Sequence, residues 1–259
     1  MDIIQYIQFL VAHLSFQMHV NFEPVRLAEL ESRRIHSEMN KGDWWWDIHD
    51  QPPAGVRVVL AILASDKSQL IKISAYKHAW SPYLTIDNIP EDIYHSPKQR
   101  AWIPVCLIAC PPNDAKNTDQ AWDSVVGSVL SPLRNLDIAG PGLKWNYADG
   151  FHRQFYPLLA AWVRDYPEQV IVADVSYGSC AMCQIPKGAP MGHSTVWPLD
   201  NRSDPHIYLE HQDKTNIDVL HTLGVHPLCN QFWQYHLSNV YRLLQPEEMH
   251  QLLLGSSKD

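Results

Sequence analysis

The sequence predicts an α/β (α+β) layered fold, and three observations carry that expectation. Strand-like apolar runs with short turn signals between them fill the stretch after residue 55. Residues 119–135, DQAWDSVVGSVLSPLRN, then switch to helical spacing, with apolar side chains at 122, 125, 126, 129, 130 and 133. Further helix-like and strand-like segments alternate behind it, which is the order of a layered domain.

Taken in order, the N-terminal residues 3, 4, 7, 10, 11 and 14 are apolar at helical spacing, interrupted by Gln5, Gln8, His13 and Gln17. With no basic leader or small-residue cleavage site, and too short and polar to span a bilayer, this stretch reads as an amphipathic helix docked on the protein. Residues Pro24 to Asn40 read as one helix, and Gly42 to Gly55 as a loop carrying Trp44, Trp45 and Trp46. The run VVLAILASDKSQL (58–70) is a strand that ends on Asp66. QLIKISAYKHAW and PYLTIDNI follow as a second and a third strand, the latter stopped at Asp87-Asn88, and together the three suggest a meander. AWIPVCLIACPP (101–112) is a fourth strand, closed by Pro111 and Pro112. Pro132 should end or kink the helix that follows. GLKWNYADG reads as strand and turn, FYPLLAAWVRDYPEQ as a second helix, and VIVADVS (170–176) as a strand. After Cys180 the chain becomes loop-rich.

Composition narrows the function. The 259 residues carry a formal net charge of −8 with 46% hydrophobic and 19% charged residues, ordinary for a globular chain. That balance has the wrong sign for a surface that holds DNA everywhere, so nucleic-acid binding needs a local basic groove or metal ions. The longest basic cluster, Lys98-Gln99-Arg100, is explained by a solvated loop. Five cysteines, an odd number, argue against a disulfide framework and fit a reducing, intracellular setting.

Two constellations have chemical potential. Cys180-Ala-Met-Cys183 places two thiolates within reach of one tetrahedral ion, and His193 follows in a Gly-containing loop, which favours structural zinc over redox chemistry. His206, His211, His221, His226, Cys229, His236 and His250 compete for the fourth position, and spacing does not choose among them. The second set is carboxylate: Asp66, Asp149, Asp165 and Asp174 each stand at or near the end of an apolar element. Carboxylates from different strands can converge on divalent ions for phosphoryl transfer. A single Asp after a strand is more often a solvated turn residue, and pattern alone leaves each of the four there. No G-x-S-x-G, H-E-x-x-H, Walker or dinucleotide motif occurs.

Longer segments carry a resemblance. GDWWWDIHDQPPAGVRVVLAILASDKSQL, HAWSPYLTIDNIPEDI, DGFHRQFYPLLAAWVRDYPEQVIVA, SYGSCAMCQIPKG and QPEEMHQLLLG together resemble the fungal Plavaka transposases, relatives of the CACTA (EnSpm) and Kyakuja–Dileera–Zisupton elements, over roughly residues 40 to 255. The resemblance implies a ribonuclease-H-like core whose DDE carboxylates hold Mg²⁺ or Mn²⁺, interrupted by a zinc-binding, loop-rich insertion. It implies Asp66 as the first acidic residue and Asp165 as the second, with Asp174 a rival. For zinc it implies Cys180, Cys183 and His193, and its D-x-x-H element falls on Glu247 to His250, making His250 the fourth ligand. Lys67 is followed by Ser68 where the family commonly has Thr. Domain limits follow: a variable helical segment over 1–40, a partial core over 41–178, and the insertion over 179–259.

The family's third acidic residue lies downstream of the motif at His250, and this chain has nine residues after it. The expectation is therefore a truncated, transposase-derived remnant, without DNA cleavage or strand transfer of its own. The alternatives are a subunit completed by a partner or by further sequence, and a zinc-stabilised binding module. DNA is the implied partner and the nucleus the implied site of action. No membrane association is expected, and self-association is left open.

Overall fold

The computed structural model describes residues 2–28, 34–35, 38–71, 77–110, 115–181, 224, 226, 231–234 and 243–246. Its elements in chain order are α1 (Ile3–Ala12), β1 (Leu27–Ala28), β2 (Arg34–Ile35), α2 (Asp43–His49), β3 (Val56–Ala64), β4 (Lys67–Ile71), β5 (Lys77–Trp80), β6 (Tyr83–Ile86), α3 (Glu91–Tyr94), β7 (Ile103–Pro104), β8 (Ile108–Cys110), α4 (Ala115–Arg134), β9 (Leu143–Asn146), β10 (His152–Arg164), α5 (Tyr166–Val172) and β11 (Leu244–Pro246). The protein is thus mixed α/β. It divides into two compact units, one of residues 1–63, 82–106 and 129–160, the other of 64–81, 107–128 and 161–259.

In the first unit α1 does what its spacing predicts. Ile3, Ile7, Leu10 and Val11 are buried, and the helix packs on β6. Its first turn is closed reciprocally: Gln5 N donates to Asp2 Oδ1 at 2.9 Å, and Asp2 N to Gln5 Oε1 at 3.0 Å. β10 pairs antiparallel with β9, Arg153 opposite Trp145, and β6 pairs antiparallel with β7. Asn88, fully buried, binds this layer together: Leu60 N donates to its Oδ1 at 2.8 Å, and its Nδ2 donates to Asn21 O at 2.8 Å and Val58 O at 3.1 Å. A residue that reads as turn punctuation is therefore a core hydrogen-bonding node.

Several expected elements differ. The segment from Pro24 to Asn40 is not one helix, because β1 and β2 pair antiparallel within it. The tryptophan stretch is helical, as α2, with Trp45 at its buried face. The expected meander is replaced by two sheets. β3 and β6 share one, whereas β4, β5 and β8 form another in which Lys67 lies opposite Trp80 and His78 opposite Cys110. The 101–112 run accordingly contributes β7 and β8 to different sheets. Helix α4 begins earlier than periodicity indicates and contains Pro132 two residues before its end at Arg134. Two assignments are exchanged outright: FYPLLAAWVR belongs to β10, and the VIV of VIVADVS to α5.

In the second unit the last residues of β10, Trp162–Arg164, pair parallel with β11, so the sheet is mixed. Trp80, Trp122, Trp162 and Phe232 are buried there. Trp162 meets Trp122 at 5.3 Å and Phe232 at 5.4 Å between ring centroids. No described helix is long and apolar enough to cross a membrane.

Candidate metal-holding strand ends

Strand β3 is buried from Val58 to Leu63 and stops at Ala64, after which Ser65 is buried and Asp66 exposed. β10 stops at Arg164, and Asp165 comes next. The two ends are tied by the backbone, Ser65 N donating to Val163 O at 3.1 Å. The candidate carboxylates therefore lie one and two residues beyond strand ends that run side by side, Asp165 directly after β10 and Asp66 after Ser65. Lys67, which directly follows Asp66, opens β4 and carries its ammonium 5.6 Å from the centre of the Trp80 ring.

Asp165 is the N-cap of α5, its Oδ1 accepting from Glu168 N at 3.0 Å, and Pro167 sits in the first turn. This cap places Glu168 next to the strand ends. Ser65 Oγ donates to Glu168 Oε2 at 2.8 Å and accepts from Trp162 Nε1 at 3.2 Å. Beside them Arg164, 1% exposed, lies against two indoles, with its guanidinium carbon 4.2 Å from the Trp162 ring centre and 4.8 Å from that of Trp122. Its Nη1 donates to Glu168 O at 3.4 Å and stands 3.9 Å from Glu168 Oε2.

Burial dominates the charge state of this pair. It pushes the Glu168 carboxyl up to about 7 against the opposing pull of Arg164 and the Ser65 hydroxyl, and Asp165 and Asp66 push the same way. It also brings Arg164 down to about 9, with Glu168 and Asp165 resisting. Arg164 Nε and Nη2 and Glu168 Oε1 are buried without a hydrogen-bond partner among the described residues. Asp66 and Asp165 thus stand within electrostatic reach of one buried carboxyl.

The remaining expected site residues are placed differently. Asp149 lies in the turn before β10, with a two-point ion pair to Arg153 at 2.6 and 2.5 Å that holds its carboxyl below the usual range. Asp174 does not end a strand: it follows α5, is buried, and adopts φ 53°. Cys180 is half-buried and unbridged, in a turn fixed by Tyr166, whose hydroxyl donates to Ser179 O at 2.9 Å. Cys183, His193 and His250 lie outside the described residues, as do most of the rival fourth ligands. Hard carboxylate oxygens suit Mg²⁺ or Mn²⁺, so Asp66 and Asp165 fit the implied ion chemically. No group of three or more His, Cys, Asp or Glu is placed to share an ion among the described residues.

Across residues 1–259 the chain matches a family model described as Plavaka transposase. It belongs to the Plavaka transposase family. The match takes in residues 1–40 as well, which the motif resemblance does not reach, so α1 is part of what the Plavaka model describes. No curated protein matches the chain. Among the residues around the Plavaka strand ends, sequence reasoning passes over Ser65, Arg164, Glu168 and Trp162. The signal was present in part: Asp165-Tyr-Pro-Glu168 is a helix-start pattern, a capping residue with Pro behind it and Glu at the third position.

Proposed function

We propose that this Plavaka family member carries two ligands of a divalent-metal centre for DNA phosphoryl transfer, Asp66 and Asp165, on a ribonuclease-H-like core, and that alone it neither cleaves DNA nor transfers strands. The observation that supports this is the Ser65–Val163 backbone bond, which sets the residue before Asp66 beside the residue two before Asp165. A bound Mg²⁺ or Mn²⁺ would supply Lewis-acid polarisation of a phosphoryl oxygen. The chain's own part is to hold and orient. Asp66 offers an exposed carboxylate, Asp165 offers one while capping α5, and the Ser65–Glu168 hydrogen bond fixes the backbone just ahead of Asp66. Phosphoryl transfer at metals depends on ligand charge and geometry together. Two aspartates beside a carboxyl held near neutrality are a weak holder for two ions, which favours the inactive reading over an active subunit. In this reading Cys180, Cys183, His193 and His250 hold a structural zinc, and the protein acts in the nucleus.

The test combines binding with turnover. Mn²⁺ titration followed by electron paramagnetic resonance should give weak binding that is lost in Asp66→Ala and in Asp165→Asn, the latter keeping a helix cap. Absence of Mn²⁺ binding in the unaltered chain rejects the ligand assignment. Cleavage of a DNA duplex by the chain alone, abolished by Asp66→Ala, rejects the inactivity and establishes the active-subunit alternative. Zinc analysis should find one ion per chain, lost in Cys180→Ser; a folded, zinc-free protein rejects the Cys/His site.

A further inference from the structure

An open groove of about 370 Å³ in the first unit is lined by Gly55, Arg57, Lys144, His152, Arg153 and Gln154. Three strands build it: Arg57 comes from β3, Lys144 from β9, and the others after Gly55 from β10. Lys144 is in register with Gln154, and His152 lies two residues before Gln154, so strand alternation puts these three side chains on one face and that of Arg153 on the other. No carboxylate lines the groove. Asp149 stands just behind it and is taken up by both Arg153 terminal nitrogens.

The two arginines are held in place before any ligand arrives. Arg153 is clamped by Asp149 and lies 4.6 Å from the Tyr147 ring centre, and Arg57 lies 5.1 Å from that of Phe22. Arg57, Lys144 and His152 have no ion pair among the described residues. On a chain of net charge −8 this concentrates unpaired positive charge in one concave, polar place. Planar guanidinium groups with spare N–H donors and a mobile ammonium suit phosphate oxygens spaced along a strand.

We infer that this groove docks the sugar–phosphate backbone of duplex DNA, without reading base sequence. The inference rests on the DNA-acting reading of the family but on none of its metal ligands. Arg57 and Lys144 make the main phosphate contacts, and the His152 ring nitrogens offer a further one.

The experiment is fluorescence anisotropy of a labelled DNA duplex with the full chain in EDTA, over a series of salt concentrations. Each lost phosphate contact lowers the slope of log affinity against log salt by about 0.9. Lys144→Glu and Arg57→Gln should each weaken binding and flatten the slope by about one contact. Lys98→Glu, on an exposed loop, should leave the slope unchanged. Should Arg57→Gln fail to fold, the exposed Lys144→Glu still decides. Equal slopes for unaltered chain and Lys144→Glu overturn the inference, as does an equal effect of Lys98→Glu. Inorganic phosphate displacing the duplex better than chloride at matched ionic strength reassigns the groove to a small free anion and also overturns it. Absence of DNA binding overturns it too, while Mn²⁺ binding lost in Asp66→Ala would leave the metal reading standing.

Discussion

Asp87 is a residue whose surroundings conflict with its charge. It sits in the turn after β6, with Oδ2 buried and without a hydrogen-bond partner among the described residues. Burial, then the charges of Glu38 and Glu91, push its carboxyl up to about 7. Because the folded value lies above the ordinary 3.8, Asp87 favours the folded state at low pH, and that contribution is lost as pH rises from about 4 through about 7. Asp87→Asn should therefore melt higher than the unaltered protein at pH ~8, by about 1–2 kcal/mol of stability, and nearly equally at pH ~4. Thermal melts of both proteins across that range check it; a constant difference at all pH values would contradict it. Sequence reading treats Asp87-Asn88 as a turn signal, which is right for the backbone. It does not reveal that Asn88 is a buried node and Asp87 a buried acid, because turn residues look the same whether solvent or core lies beneath them. Asp66 shows the reverse: pattern makes it an ordinary strand end, and nothing in the linear sequence reveals that the end of β10 lies beside it.

At the scale of elements, β10 and α5 teach most about legibility. Residues Phe155 to Trp162 are buried without interruption, so the period-2 alternation that marks a one-sided strand is absent. A long apolar run then reads as helix by length. Pro157 strengthens the misreading, yet it is tolerated in the strand. Pairing with β9 stops at Phe155 and pairing with β11 begins at Trp162, so neither of these two ladders asks Pro157 for an N–H. For α5 the β-branched run VIV outweighs a start signal that lies before it. The cap wins because Asp165 and Pro167 preset the first turn while Glu168, Gln169, Val170 and Val172 are all buried. Asp165 thus has a helix-starting role separable from any metal. Asp165→Ala should lower stability by about 1 kcal/mol in chemical denaturation, and Asp165→Asn by far less. Equal losses would mean that the charge of Asp165, not its cap, stabilises the fold. The helix α1 was legible for the opposite reason to β10: its apolar and polar positions separate cleanly onto two faces.

For the whole molecule, composition sets a limit that family membership refines. A net charge of −8 disfavours a uniformly DNA-coated surface, and membership of a transposase family implies DNA interaction, which directs attention to local basic surfaces. Sequence inspection located only Lys98-Gln99-Arg100, because the basic groove draws Arg57, Lys144 and His152 from positions nearly a hundred residues apart. Such a site is invisible to any linear search for basic clusters. The mixed α/β class was legible from the order of elements, since that depends on their number and kind more than on each assignment. The indole of Trp162 has one last consequence. Its N–H ends on the buried Ser65 hydroxyl, one residue from Asp66. Trp162 is therefore a built-in optical reporter. Mn²⁺ or Mg²⁺ added to the intact chain should change tryptophan emission, and the change should vanish in Trp162→Phe although nine other tryptophans remain. Occupancy of the strand ends could then be followed by light, with no label attached.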